Sequence, residues 1–354
     1  MSRRRPLKLA ILLPAVRHPT IRGGGHLNTL RFAELMARHR PVELVSYAVR
    51  EEGVAYLEDC EARLVEEGFT LLLTWGPDVA GHVARFHRRL PLVYYQQSMD
   101  WGFDLPADVP VISMSRYMLG HAQRTWPASP QLYLPQVLPA SCRDRGLERD
   151  VDVLWASRKQ PAYLRDVLLP RLEPHCRVER LERFVPREEL HELFNRSRVY
   201  LYAFAPMRAP AVAGGWRLME GVSTQNLEAM ACGCTVVSDL RGGHCDFIEP
   251  EVHGHRLMSH SPEWDVEQVL RAVRRHPEPG QRAYAARLVE DYGEARFHQR
   301  AAAAADFLER FFAFARRHPP APAAFGLPRP ISPLEERWQR WRGTVHRLLR
   351  RRRR

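Results

Sequence analysis

Twice along the chain, short apolar runs of strand length are separated by stretches of helix length, and few architectures accommodate that alternation. The first series runs through LKLAILLP (7–14), VELVSYAV, FTLLLTW, PLVYYQ and PVISMS. The second opens at VDVLWAS (151–157) and continues through RVYLYAF, CTVVSD and the helical DVEQVLRAV. Strands that alternate with helices make a parallel sheet covered on both faces. The polar segment 140–150 separates the two series, and 354 residues suit two medium domains better than one. The expected class is therefore α/β, with a first domain over 1–145 and a second over 150–295. In the first, a loop carrying Gly23, Gly24 and Gly25 follows the opening strand, and an amphipathic helix is expected from about His26 to His39.

Composition narrows the class without naming it. Apolar residues make up 45% of the chain and charged residues 27%, as in ordinary globular proteins. No apolar run approaches the roughly 18–20 residues that span a bilayer. The opening MSRRRPLKLAILLPAV imitates a signal peptide, but its apolar part is brief, contains Pro14 and lacks a small-residue cleavage site. It reads as the first buried strand. Six cysteines with no C-x-x-C pair and no framework spacing read as reduced thiols.

The segment 220–243, EGVSTQNLEAMACGCTVVSDLRGG, carries the chemistry. Glu220 and Glu228 are separated by seven residues, and the polar run 221–226 between them reads as a loop turning into a helix over 227–232. Gly233 is a natural stop, and Thr235 to Ser238 form an apolar strand. A helix start carries unpaired N–H groups and partial positive charge, which suit a phosphate. Carboxylates accept hydrogen bonds from sugar hydroxyls. Phosphate in the middle with hydroxyls on both sides describes a nucleotide sugar.

This segment resembles the donor-binding signature of the GT-B retaining glycosyltransferases, the large family of bacterial polysaccharide transferases. The family pairs two glutamates at this spacing, then an LEAMACG-like helix and a strand. A further turn follows in the family's order, here Gly242, Gly243, Asp246, Ile248 and Gly254. The resemblance implies two Rossmann-like domains facing a cleft, tightly matched in the second half and loosely in the first, with 296–318 as a return helix onto the first domain. It implies that Glu220 contacts the donor sugar and Glu228 the nucleotide ribose. Ser223, Thr224, Gln225 and Asn226 then supply N–H groups to the diphosphate. Arg158 and Lys159 follow the first strand of the second half, where the family places a basic pair on the diphosphate; Arg165 is an alternative for the second place. The segment 183–190, RFVPREEL, resembles the loop lining the base, with backbone near Phe184 and Val185 making the contact. Where the family reads EGFGL, Val222, Ser223 and Thr224 stand here, and the second glycine is lost.

Other candidates keep two readings. The Gly23–Gly24–Gly25 loop either approaches donor phosphate or acceptor, or is a tight turn. It is not G-x-G-x-x-G, and VELVSY ends without the acid that holds a dinucleotide ribose, which weighs against a dehydrogenase. His26 at the helix start is either a hydrogen-bond donor beside the sugar, with a catalytic part, or one ordinary histidine among 16. His244, Cys245, His253, His255 and His260 invite a metal, but their spacing fits no usual zinc arrangement. No metal and no cofactor are expected, the nucleotide sugar (UDP- or GDP-linked) being a co-substrate.

The net charge of +12 belongs to the ends. Residues 1–8 carry four positive charges, and 331–354 carry nine arginines against two glutamates, which together supply 11 of it. A near-neutral body without a binding module argues against nucleic acid. A Pro-rich linker is expected over 319–333 and a basic amphipathic helix over 334–354. There Leu334, Trp338, Trp341, Val345 and Leu348 form one stripe, with Arg337, Arg340, Arg342 and Arg347 on the other faces. Trp338 and Trp341 in the acyl boundary, with Arg337 and Arg340 toward anionic headgroups, describe an interfacial helix; docking of the Trp face on the first domain is the alternative. The resemblance implies a metal-independent hexosyltransferase-like enzyme, and the basic tail places it as peripheral to the inner face of the cytoplasmic membrane. Its expected reaction moves a sugar with retention onto a glycan or lipid-linked acceptor in surface-polysaccharide synthesis. A catalytically silent scaffold, and a nucleotide-sugar epimerase or hydrolase, are the rivals.

Overall fold

The segment Leu9–Leu13 is apolar and buried at every position, as befits a strand with neighbours on both edges and helices on both faces. A computed structural model describes residues 6–18, 23–156, 161–208, 215–217, 219–258 and 261–318. In it this strand, β1, lies inside a seven-stranded sheet. Its partners are β2 (Val42–Ser46), β3 (Ala55–Tyr56), β4 (Thr70–Leu73), β5 (Leu92–Gln96), β6 (Val111–Ser113) and β7 (Gln131–Tyr133). The order is β3-β2-β1-β4-β5-β6-β7, with every pairing parallel. Among the described residues this half also holds the α-helices α1 (Gly24–Met36), α2 (Leu57–Glu66), α3 (Val79–Phe86) and α4 (Arg116–Thr125). The chain winds outward from β1 to β3, then returns to build β4 to β7 on the other side. Ligand crevices of open α/β sheets form at such a reversal, outside the carboxyl ends of the strands. The glycine loop after β1 sits there.

The second half repeats the design with β8 (Val151–Ala156), β9 (Val178–Leu181), β10 (Ser197–Tyr202), β13 (Thr235–Ser238) and β14 (Gly254–Arg256). Their order is β14-β13-β10-β8-β9, again parallel throughout. A hairpin of β11 (Met207–Arg208) and β12 (Trp216–Arg217) lies between β10 and β13 in the chain. The helices are a π-wound stretch Tyr163–Leu168 running into α5 (Leu169–Leu172), then α6 (Arg187–Arg196), α7 (Thr224–Ala231), α8 (Pro262–Arg275) and α9 (Gln281–Tyr292). Each sheet buries apolar side chains on both faces, which gives four clusters rather than one core.

After α9 the chain goes back. In α10 (Glu294–Ala315) the residues Phe297, Ala301, Ala305, Leu308 and Phe312 recur every three or four positions and join the cluster of Leu9, Phe32 and Tyr95 on the first sheet. Arg40 binds Glu309 at 2.7 Å and Asp306 at 2.9 Å, and Arg31 pairs with Glu294. The two places where the chain passes between halves are themselves joined, since Leu138 N–H donates to the Tyr292 carbonyl at 2.9 Å. Residues 1–314 accordingly form one compact unit holding both sheets, and 315–354 a second unit. The stretches 319–333 and 334–354, including Trp338, Trp341, Arg337 and Arg340, lie outside the described residues. Among the described residues, no helix is long and apolar enough to cross a membrane.

Two helix starts differ from expectation. α1 opens at Gly24 rather than His26, because extended backbone at Gly23 lets the next two glycines enter the first turn. α7 opens at Thr224 rather than Leu227, with Ser223 in extended N-cap conformation.

Candidate functional site

Glu220 stands on a loop that two glycines hold in place. Gly243 N–H donates to the Glu220 carbonyl at 2.8 Å, and Glu220 forms an isolated parallel bridge with Gly242. Gly242 has φ +70°, and a Cβ there would fall on the Glu220 carbonyl oxygen. A Cβ on Gly243 would fall on the Gly221 carbonyl oxygen and stand 2.8 Å from its carbon. Only glycine permits both approaches. The Glu220 side chain accepts from Tyr202 Oη at 2.8 Å, at the carboxyl end of β10. Burial, then the Glu220 carboxylate, pushes that hydroxyl well above its usual range, so it remains a donor.

Four residues on, α7 begins. Ser223 makes no side-chain capping bond, so no hydroxyl covers the first-turn N–H groups of the helix. Glu228 lies in its second turn and is 2% exposed. A buried carboxylate requires partners, and α6 supplies them. Arg187 Nη2 is 3.1 Å from Oε1, and His191 Nε2 is 3.6 Å from Oε2.

Both glutamates line one cavity of about 330 Å³ together with Ser223, Thr224 and Gln225. Gly24, Gly25, Asn28 and Gln97 close it from the first half, and Ala156, the last residue of β8, reaches it from the second. The two halves are pinned around this space. Thr224 Oγ1 donates to Gln136 Oε1 at 2.6 Å, and Asn28 Nδ2 donates to both at 3.4 Å. Ser115 Oγ donates to the Gly221 carbonyl at 2.6 Å. Asp246 accepts from the N–H groups of Arg116 and Tyr117, at 2.5 and 3.2 Å, at the start of α4. Arg217 of the hairpin donates to the Met99 carbonyl.

Of the residues expected from sequence, the cavity brings together Glu220, Glu228, Ser223, Thr224, Gln225, Val185, Gly24 and Gly25. Val185 is buried, while the Phe184 ring beside it is half exposed at the same cavity. Four others are placed elsewhere. Gly23 precedes α1 and is not among the lining residues. The His26 ring is buried, with Nε2 3.0 Å from the Val16 carbonyl oxygen, and it is not among the lining residues. Arg165 pairs on the surface with the adjacent Asp166 at 2.6 Å and is not among the lining residues. Asn226 points into the core toward His244 Nδ1 at 3.5 Å. Arg158 and Lys159 lie outside the described residues, two and three positions after Ala156. Sequence reasoning missed Tyr202, Arg187, His191 and Gln97. Arg187 and His191 stand four apart and so share a face of α6, but no local pattern says which carboxylate that face meets.

The histidines that invited a metal are occupied separately. His255 lies between Glu251 and Glu278 at 3.1 and 2.8 Å, and His253 stacks on Tyr284. His244 lies 3.2 Å from Ser238 Oγ, edge-on to Tyr202; His260 lies outside the described residues. Among the described residues, no group of three or more His, Cys, Asp or Glu is arranged to hold a metal ion.

Burial drives the His244 imidazole from 6.5 down to about 3. The unfolded chain therefore binds an extra proton between those values, and acidification across that window lowers stability. Asp239, raised by burial from 3.8 to about 6, has the opposite sign, the folded state holding its proton between those values. The comparison of His244→Gln with wild type isolates the histidine. The variant's urea-unfolding free energy is expected to rise less with pH than that of the wild type between 3 and 6.5, the two slopes differing by up to about 1.4 kcal/mol per pH unit. Parallel curves would mean that the ring titrates normally in the folded protein.

Residues 154–308 match the family model described as Glycosyl transferase-like. No curated protein matches the sequence. Several solved structures match the fold. Sucrose-phosphate synthase from Thermosynechococcus elongatus is 13% identical over 87% of this chain and 100% of its own, with a TM-score of 0.63. HepE from Anabaena, solved in complex with UDP-glucose, is 15% identical over 85% of this chain and 100% of its own, at 0.61. A glycosyltransferase from Rickettsia africae is 10% identical over 86% and 98%, also at 0.61. At these identities the likeness is one of fold, and the fold is GT-B.

Proposed function

We infer that this chain, whose fold is GT-B, is a glycosyltransferase that moves a sugar from a nucleoside-diphosphate donor to a hydroxyl of a glycan or lipid-linked acceptor, with retention at the anomeric carbon. One observation carries the reading. Two carboxylates and an uncapped helix start between them line a single cavity, bounded on its far side by the glycine-rich first turn of α1 in the other half. Hydroxyl-binding, anion-binding and hydroxyl-binding groups then follow in the order sugar, diphosphate, ribose. HepE, of the same fold, is described with UDP-glucose, which favours a UDP-linked donor among the candidates.

In this reading Glu220, steadied by Tyr202, accepts hydrogen bonds from the donor sugar. Glu228 accepts from the ribose. The bond from anomeric carbon to phosphate oxygen breaks, and the first-turn N–H groups of α7 with Arg158 and Lys159 take up the charge of the departing diphosphate. The acceptor oxygen bonds to the same carbon from the same face, and its proton leaves with the phosphate. The positive groups that the step needs come from the chain, so no metal is required. Clasping of the cleft by Thr224, Gln136 and Asn28 keeps out water, the competing acceptor. The basic C-terminal stretch is proposed, from its composition, to hold the enzyme on an anionic membrane at the cytoplasmic face.

Calorimetric titration with UDP and GDP, without metal, tests the donor site. One of them is expected to bind saturably, with affinity falling at least about tenfold in Glu228→Ala. Absence of binding by either would overturn the enzyme reading in favour of a silent scaffold.

A further inference from the structure

The carboxylate of Glu228 is oriented from outside its own helix, and the orienting group is itself oriented from the segment that joins the two halves. His191, on α6, is 1% exposed. Its Nδ1 lies 3.0 Å from Ser141 Oγ, and its Nε2 faces Glu228 Oε2 at 3.6 Å with no hydrogen-bond partner of its own. A serine hydroxyl can donate or accept; an ionised carboxylate can only accept. Were the imidazole proton on Nδ1, a bare lone pair on Nε2 would face the carboxylate oxygen. The favourable arrangement has Ser141 donating to Nδ1 and Nε2–H directed at Glu228. The next residue of the same segment reinforces the link, since Cys142 Sγ donates to the Glu228 carbonyl at 3.2 Å.

We propose that Ser141 and His191 form a relay that fixes the Glu228 carboxylate for the ribose of the donor nucleotide, His191 acting as a positioning residue; this rests on the donor reading given above. Arg187 pulls on the other oxygen at 3.1 Å and is itself part of the cavity wall. Without the histidine the carboxylate turns fully onto the guanidinium. Its lone pairs then no longer face the ribose hydroxyls. Affinity for the base and diphosphate survives, while selectivity for a 2′-hydroxyl is lost. The relay also ties ribose recognition to the chain crossing, so whatever moves segment 134–150 moves the carboxylate that reads the nucleotide.

The test is calorimetric binding of UDP, GDP and their 2′-deoxy counterparts to the wild type, His191→Phe, His191→Gln and Ser141→Ala, with thermal melts to confirm folding. The wild type is expected to prefer its ribonucleotide over the deoxy form by about tenfold. His191→Phe loses that preference. His191→Gln, whose amide N–H falls near the place of Nε2, restores it. Ser141→Ala, which frees the tautomer, reduces it. Nitrogen-15 spectra of the free protein are expected to show the proton of His191 on Nε2. Full 2′-hydroxyl preference in His191→Phe, or in Ser141→Ala should the former fail to fold, overturns the relay, as does a proton found on Nδ1. If the wild type binds no nucleotide, the donor reading falls and the relay with it; if it binds and the variants match it, the relay alone falls.

Discussion

Glu220→Gln is expected to reduce kcat for sugar transfer by roughly 10²–10³ while nucleoside diphosphate binding and folding stay as in the wild type. Glutamine keeps the size of the side chain and an oxygen that can accept from Tyr202 Oη, now 2.8 Å away. What it removes is charge. Hydrogen bonds from sugar hydroxyls to an ionised acceptor are worth about 1.5–3 kcal/mol each, and those that tighten as the anomeric bond breaks lower the barrier directly. The nucleotide end of the cavity rests on Glu228, Arg187 and α7, which the substitution does not touch. Initial rates with saturating donor and acceptor, beside a calorimetric titration of the free nucleotide, make the check. Turnover like that of the wild type would sink the role given to this carboxylate.

Gly243→Ala is expected to act on the same group through the backbone. The atoms awaiting its Cβ are the Gly221 carbonyl and, at 3.0 Å, Val222 Cα. These are main-chain atoms, which cannot swing aside as the tip of a long side chain can. We expect a loss of about 3 kcal/mol in unfolding free energy, from overpacking and backbone strain together. Activity should fall further than stability explains, by about 10², because the displaced loop carries Glu220. Urea unfolding and transfer rates measured on one preparation separate the two effects. An unchanged urea midpoint would show that segment 220–222 yields freely and that its glycine partner holds nothing in register.

What could be read from the chain, and what could not, follows from the range of the interactions. β1, β8 and β10 are apolar runs whose burial is written in consecutive residues, and the glutamate pair is brought into one cavity by a loop and helix contained in a dozen positions. Contacts made between distant segments left no such trace. His191 and Arg187 acquire meaning only when α6 packs beside α7. Asn28, Gln136 and Thr224 meet from three separate places in the chain. Short-range partners are equally hard to foresee: Arg165 pairs with Asp166 next to it, and His26 Nε2 lies against the Val16 carbonyl. The two-residue strands of the hairpin carry too little pattern to be seen at all. The first turn of α7 was misplaced because a polar run is compatible with either a loop or a helix start.

The return of α10 to the first sheet has a consequence for how this cleft can move. The chain crosses between halves twice, and Leu138 and Tyr292 at the two crossings are hydrogen-bonded to each other. In topological terms the second half is an insert between β7 and α10 of the first, attached by a pair of adjacent straps. A body held that way is expected to swing about the line of its straps more readily than it slides along the cleft. Such a swing would carry Glu220 toward the glycine-rich first turn of α1, across the cavity that both line.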